Sequence, residues 1–414
     1  MTDQLRTART VAPVFGPGVL DALDSALDGT GSALIPSGTQ PGSIGESGAH
    51  DTRPAGGTLG PESTVVTEST VDPAGATSLL PSEVALALAT SGSTGPPRLV
   101  GLTAASLLAS AHATHARIGP PGRWLLALPL THVAGWQVLV RSLLSGRAPV
   151  AWPAGESFSA DVFADLMQPT SGSADGAARV EYAALVPTQL GRLLADPRAT
   201  AALSGITVLL GGAPAPGALL EAASAAGVRV VTSYGSTETS GGCVYDGKPL
   251  DGVRARLEAD GRLALGGAVV AAGYLSTDRR TLEHGDAFST AEGERWFHTA
   301  DLGRIDNNGS VRVLGRADDV IVTGGEKVNP AAVEAILGAD VVIAGLPDRI
   351  WGQRVVAVTS RTDADLSRWR ALVREHLPAH CAPREVIVVP RLPMIGIGKI
   401  DRRAVVRGLD TLRP

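Results

Sequence analysis

Cysteine is nearly absent: Cys243 and Cys381 are the only two in 414 residues. Two cannot make a disulfide framework or a cysteine-ligated zinc site. Aromatic residues are only 4% of the chain, which leaves few platforms for stacking single-stranded bases. Basic residues are not in excess either, with 36 Lys and Arg against 41 Asp and Glu and a net charge of −5. A protein gripping phosphate backbone needs a basic face, so nucleic acid is not an expected partner. Long uninterrupted apolar runs are missing. The stretch Leu125 to Leu144 is broken by Thr131, His132, Gln137 and Arg141, which a bilayer span rarely tolerates, and the run at 263–275 is too short to cross. MTDQLRTART lacks the apolar centre of a signal peptide. The expectation is a cytoplasmic protein with no membrane insertion.

What remains is ample for a core. Hydrophobic residues reach 44% and charged residues 19%, which excludes general disorder. At about 150 residues per domain, the length gives two to three domains. Glycine, at 50 residues, exceeds its usual share of about 7%. From 28 to 82 the chain is rich in Gly, Ser, Thr and Pro with little apolar periodicity, and reads as a linker or surface loop. VFGPGVLDALDSAL (14–27) before it reads as a short amphipathic helix.

Beyond it, short apolar runs end in Gly, Pro or Ser: VALALAT (84–90), WLLALPL (124–130), YAALVP (182–187), ITVLLGG (206–212) and VRVVTSYG (228–235). Stretches of helical spacing lie between them. This alternation is that of a parallel α/β sheet, whose sites lie beyond the strands' carboxyl ends. From Asp246 the pattern turns to short strands and tight turns, with Asn308-Gly309 reading as a hairpin. Past Arg316 comes a final α+β unit of about 100 residues. The fold expected is therefore α/β: a large domain over 1–316 that includes a β-rich subregion, and a small α+β domain over 317–414.

Several segments carry chemistry. Thr90-Ser91-Gly92-Ser93-Thr94-Gly95-Pro96-Pro97-Arg98 runs from a buried strand through hydroxyls and glycines to a cation. Glycines admit close approach of backbone to an anion, hydroxyls and N–H groups donate to phosphate oxygens, and the cation neutralises them. The Gly-Lys-Ser/Thr ending of a Walker A loop is absent, and an ordinary Gly/Ser loop is the plain alternative. Tyr234-Gly235-Ser236-Thr237-Glu238 places an aromatic face, a flexible glycine, two hydroxyls and a carboxylate at a strand end. A polar loop with a solvated glutamate would read the same way. HTADLGRIDNNGSVRVLGRADDVIVTGGEKV (298–328) carries Asp301, Arg316 and Asp318. Gly396-Ile397-Gly398-Lys399-Ile400-Asp401-Arg402 carries a lysine that, alone, would read as a surface charge.

Taken together and in this order, these segments resemble the acyl-adenylate-forming superfamily of acyl-CoA synthetases, adenylation domains and luciferase-like enzymes. The resemblance covers about residues 83 to 405. It implies that the segment Thr90–Arg98 binds phosphate, with Arg98 where the family usually has Lys. That exchange keeps the charge and changes the geometry. It implies that Tyr234 flanks adenine, that Gly235 and Ser236 complete the nucleotide loop, and that Thr237 reaches the α-phosphate. Glu238 would hold Mg²⁺, which favours hard oxygen ligands. Asp301 would bind both ribose hydroxyls, Arg316 would also contact the ribose, and Asp318 would be the hinge of the small domain. Lys399 would be the catalytic lysine of the adenylation step, bridging substrate carboxylate and α-phosphate.

Leu128 to Gly135 matches the segment where acyl- and aryl-CoA synthetases place a His or aromatic beside the acyl pocket, here His132. The Asp that amino-acid-activating domains use for the α-ammonium is not in LPLTHVAG. His112, His115 and His298 read as structural, and Cys243 as a small buried hydrophobe. The implied cofactors and substrates are ATP, Mg²⁺, coenzyme A and a small-molecule carboxylate, and a homodimer stays open. Few residues precede the phosphate loop. In that respect the chain is similar to the compact o-succinylbenzoate–CoA ligases of menaquinone biosynthesis in high-GC actinobacteria, as is TGGEKVNPAAVEAIL. The alternatives are a ligase for benzoate-like or short- to medium-chain acids, its carrier-protein-loading form, and a nucleotide-binding relative without turnover.

Overall fold

A computed structural model describes residues 5–11, 15–16, 18–36, 79–90, 98–168, 179–338, 340–395 and 399–411. The first sheet has seven strands in the order Leu282–Glu283, Gly273–Leu275, Arg98–Thr103, Val84–Thr90, Ala33–Pro36, Leu5–Val11, Leu79–Pro81. The second also has seven: Lys248–Pro249, Gly241–Tyr245, Arg229–Ser236, Thr207–Leu210, Tyr182–Leu185, Trp124–Leu126, Val150–Ala151. From Val150–Ala151 to Arg229–Ser236 every neighbouring pair is parallel. Tyr182–Leu185 and Thr207–Leu210 are buried along their whole length, as strands covered on both faces must be.

The alternation read in the sequence holds for this second sheet. It fails for the first. Val84–Thr90 does not cross over through a helix; it returns at once as Arg98–Thr103, antiparallel, with Thr90 opposite Arg98. RLVGLT is strand rather than the approach to a helix, because its apolar residues pack inside the sheet. The segment 28–82 also needs correction. Ala33–Pro36 within it is a fully buried strand, parallel to both Leu5–Val11 and Val84–Thr90. Four apolar residues flanked by Gly and Ser are too short a run to show periodicity. Residues 37–78 lie outside the described ones.

Between the two sheets run the helices Val19–Asp28, Ala104–Ile118 and Val133–Ser145. Leu107, Ala111, Trp136 and Val140 join Leu86, Val100, Trp124 and Val231 in one buried cluster. Ala104–Ile118 starts at Thr103, whose hydroxyl accepts from the Ser106 N–H while the Ser106 hydroxyl receives the Thr103 N–H. That reciprocal cap satisfies two N–H groups the helix cannot use. The other face of the second sheet is covered by Ala160–Leu166, Pro187–Leu194, Pro197–Ala202 and Gly217–Ala225, around Phe163, Leu190 and Leu193. PTQLGRLLADPRATAAL is thus two helices, since Pro197 has no N–H to continue the first and Asp196 caps the second through the Ala199 N–H at 2.8 Å.

A third sheet, Val253–Leu257, Arg262–Gly267, Glu294–Ile305 and Phe288–Ala291 with Val311–Arg316 paired to the long strand, is antiparallel throughout. Gly309 turns the predicted hairpin at φ 77°. The C-terminal unit pairs Val341–Asp348 with Gly352–Thr359, beside Ile321–Thr323, Glu326–Val328 and Glu385–Val388. Helices Pro330–Leu337 and Leu366–His376 pack through Val333, Trp369 and Val373, and Arg402–Thr411 packs through Val405 and Leu409. Among the described residues, three core clusters have no member beyond Val311 and two have none before Ile321. No described helix is long and apolar enough to cross a membrane.

Candidate active site

Strand Arg229–Ser236 leaves the parallel sheet and pairs antiparallel with Gly241–Tyr245, with the register slipping between Tyr234 and Gly235. Gly235 is required there: a Cβ would collide with the Gly241 carbonyl oxygen. The turn closes through Thr239, whose hydroxyl receives the Ser236 N–H at 2.9 Å and donates to the Gly241 carbonyl at 2.8 Å. The loop Tyr234 to Glu238 is therefore held from within and presents its side chains from a fixed base.

Tyr234 donates its phenol proton to Asp301 Oδ2 at 2.7 Å. Arg316, directly across the ladder from Asp301, donates to Asp301 Oδ1 at 3.3 Å and to Asp318 Oδ2 at 3.0 Å. Residues 67 apart in sequence are thus in contact, and one carboxylate meets a phenol on one oxygen and a guanidinium on the other. Burial, then the adjacent Asp301 charge, pushes the Tyr234 phenol well above its ordinary pKa, so it stays a proton donor. The structure brings together Tyr234, Asp301, Arg316 and Asp318.

Glu238 is buried at 8% exposure. Its backbone carbonyl accepts from the Ala271 N–H at 2.8 Å, and its Oε1 receives the Tyr274 phenol at 3.0 Å. The Tyr274 ring lies beneath the Arg98 guanidinium, 4.8 Å from its carbon to the ring centre. Planar Arg can lie on a ring face. Burial, then the Glu238 charge, raises the Tyr274 pKa. Thr90 donates to the Arg98 carbonyl at 3.3 Å, closing the strand pair that carries the phosphate-loop segment. Ser91, Gly92, Ser93, Thr94 and Gly95 lie outside the described residues. Lys399 sits on a two-stranded ladder opposite Ile395, and its side chain lies outside them too. Arg402, three residues on, donates to the Ile343 carbonyl at 3.0 Å and pairs with Glu334 and with Asp319.

His132 caps the helix Val133–Ser145 with extended backbone. Its ring surface is open, yet the protein packed around it pushes its pKa below the ordinary imidazole value. His298 is bonded at both nitrogens, to Ser289 Oγ and Glu258 Oε1, each at 2.8 Å, as a satisfied structural histidine is. Burial drives the Cys243 thiol up to about 12, the behaviour of an inert buried hydrophobe.

Two residues escaped the sequence reading. Tyr274 is one; its signal was a single hydroxyl in the otherwise apolar LALGGAVVAAGYL. Arg141 is the other, and the sequence showed it only as a break in an apolar stretch. It is 2% exposed, donates to Thr114 Oγ1 at 3.1 Å, lies 5.0 Å over the Trp124 ring, and has no carboxylate partner among the described residues. Its Nε, the His115 Nε2 and the Gln137 Oε1 are buried without hydrogen-bond partners. Buried charges are ordinarily paired.

Chemically, the arrangement offers an aromatic face, a carboxylate that can accept two hydroxyls, and a second buried carboxylate for a hard cation. No group of three metal-ligating side chains occurs among the described residues. A Mg²⁺ held by one or two carboxylates and completed by substrate phosphates needs none, so Glu238 fits that ion.

Comparison with known proteins shows the family. The AMP-binding enzyme family matches residues 40–275, and the AMP-binding enzyme C-terminal domain matches 331–399. A probable 2-succinylbenzoate–CoA ligase of Mycobacterium tuberculosis is 48% identical over 337 residues, 78% of this chain and 84% of that one. The o-succinylbenzoate coenzyme A synthetase of Bacillus subtilis, in complex with ATP and magnesium ion, is similar at 28% identity and a TM-score of 0.63, covering 77% of this chain and 69% of that one. The same enzyme in complex with the acyl-adenylate intermediate shares the fold at 24% identity and a TM-score of 0.69, over 97% of this chain and 88% of that one. With more than half of its length matched by the family model, the chain belongs to the AMP-binding enzyme family.

Proposed function

We propose that this chain is an ATP-dependent, AMP-forming ligase that joins o-succinylbenzoate to coenzyme A. The observation that carries the reading is the contact of Tyr234, Asp301, Arg316 and Asp318, which links the nucleotide loop to the first residues of the C-terminal unit. In the first half-reaction a carboxylate oxygen of the acid attacks the α-phosphorus of ATP, the bond from that phosphorus to the bridging oxygen breaks, and pyrophosphate leaves. In the second, the coenzyme A sulfur attacks the acyl carbonyl, its proton is lost, and AMP departs.

The named residues would divide the work. Tyr234 offers its face to adenine, and Asp301 accepts both ribose hydroxyls, with Arg316 beside it. The segment Thr90–Arg98, Ser236 and Thr237 donate to phosphate oxygens. Glu238 would hold Mg²⁺, which when bound neutralises phosphate charge. Lys399 would neutralise charge developing at the α-phosphorus, and His132 would border the acyl group. The boundary we place at Arg316 to Asp319 makes Asp318 the hinge, with residues 317–414 rotating to let one site serve two steps.

The substrate is supported by the 48% identical mycobacterial relative and by Arg141. An acid carrying a second carboxylate would offer a counterion to a buried guanidinium that has no carboxylate partner among the described residues and lies on the helix that His132 caps. The benzoate-like acid alternative lacks that second charge. The test is exchange of labelled pyrophosphate into ATP. Exchange that requires o-succinylbenzoate and Mg²⁺, and that amino acids do not elicit, is expected. No exchange with any carboxylate would leave only a nucleotide-binding relative.

A further inference from the structure

Four consecutive residues, Ala271 to Tyr274, touch both loops assigned to phosphate and metal. The Ala271 N–H donates to the Glu238 carbonyl at 2.8 Å and the Ala272 N–H to the Gly101 carbonyl at 2.9 Å. Gly273 and Tyr274 lie antiparallel to Gly101 and Val100, on the strand that begins at Arg98. The Tyr274 phenol then reaches Glu238 Oε1 at 3.0 Å, and its ring carries the Arg98 guanidinium at 4.8 Å. The ring cannot tilt freely, because the buried Phe288 meets it edge-on, centres 5.1 Å apart at 70°.

A leucine would fill the same apolar space between Phe288 and the strand. What tyrosine adds is one donor aimed at a carboxylate and one face offered to a cation. Glu238 and Arg98 stand 140 positions apart, Arg98 opening a strand of the first sheet and Glu238 lying in the short turn Thr237–Thr239 between two strands of the second, yet this single side chain touches both. We infer that Tyr274 is a positioning residue that holds the Glu238 carboxylate and the Arg98 guanidinium in register for magnesium-bound triphosphate. The inference rests on the assignment of Glu238 to Mg²⁺ made above. It also gives Arg98 a use that a lysine would serve less well, since a planar guanidinium can stack on a ring face and an ammonium cannot.

The experiment is calorimetric titration of the full chain with ATP, in EDTA and again in saturating Mg²⁺. Tyr274→Phe keeps the ring against Phe288 and Arg98 and removes only the hydroxyl. It should therefore melt with the wild type and bind ATP in EDTA with unchanged affinity. Its gain in affinity on adding Mg²⁺ should fall about tenfold, the scale on which residues orienting a metal ligand act. Tyr274→Leu should weaken ATP binding in EDTA as well, because Arg98 loses its platform. Glu238→Gln, as the control, should abolish the Mg²⁺ gain. If Glu238→Gln loses that gain while Tyr274→Phe keeps it, the role given to Tyr274 is wrong and Glu238 stands. If Glu238→Gln keeps it, the metal assignment fails and the inference falls with it.

Discussion

Replacing Asp301 by Asn tests the ribose assignment without disturbing shape. In the free protein Asp301 receives the Tyr234 phenol at 2.7 Å and the Arg316 guanidinium at 3.3 Å. The amide still accepts one of these, and Arg316 keeps Asp318 at 3.0 Å. The lost ion pair is partly open, with side chains 32% and 20% exposed, so its removal should cost the fold about 1 kcal/mol or less. The melting temperature should drop by only about 3 °C. Nucleotide binding loses more. Each ribose hydroxyl would donate to a charged acceptor, worth about 1.5–3 kcal/mol. Asn keeps one neutral acceptor, so the net loss should be about 2–3 kcal/mol, or roughly 30- to 150-fold in kcat/KM for ATP.

The decisive comparison is with 2′-deoxy-ATP in the same pyrophosphate-release assay. Wild-type enzyme should lose about tenfold or more on that substrate, whereas Asp301→Asn, left with one neutral acceptor, should discriminate clearly less. A variant that discriminates as strongly as the wild type would refute the assignment, whatever its overall rate.

Lys399→Ala should depress adenylation far more than thioester formation from preformed acyl-adenylate, measured separately; equal loss of both contradicts the role given to Lys399. Asp318→Pro should do the reverse, stalling the second step while pyrophosphate release remains measurable, and full turnover would place the hinge elsewhere. Arg141→Met should raise KM for o-succinylbenzoate by about tenfold, the worth of one charged hydrogen bond, and leave benzoate unaffected. Because Arg141 has no carboxylate partner among the described residues, its loss should not lower the melting temperature; an unchanged KM would make it packing only. His115 is held down to about 4 from 6.5 by burial, then by Arg141 and His112. Its folded pKa lies below the unfolded one, so the unfolded chain binds more protons between these values and stability rises with pH there. Urea midpoints should fall as pH drops from 6.5 toward 4, and His115→Gln should flatten that slope.

The sequence made the parallel sheet readable because each of its strands is a short apolar run ended by Gly, Pro or Ser, as at Tyr182–Leu185 and Thr207–Leu210. The first sheet was harder. Ala33–Pro36 is four residues long and sits among glycines and serines, and Arg98–Thr103 merges without a break into the helix after it. Periodicity needs more length than either has. The site was legible where its residues are contiguous, as in Tyr234 to Glu238. It was not legible where register supplies the partner. Tyr274 reaches Glu238 only because Gly273–Leu275 pairs with Arg98–Thr103, and no local pattern announces a pairing across 170 positions. Arg141 was hidden for a different cause: burial is what makes a guanidinium with no carboxylate partner among the described residues notable, and sequence does not show burial.

The central claim is the identity of the acid, and thioester formation tests it most directly. With Mg²⁺, ATP and coenzyme A, the chain should convert o-succinylbenzoate to its coenzyme A thioester with stoichiometric AMP, at a kcat/KM far above those for benzoate and hexanoate. Comparable or better turnover of benzoate or hexanoate would contradict the account, leaving the fold and the two-step chemistry in place and the substrate wrong.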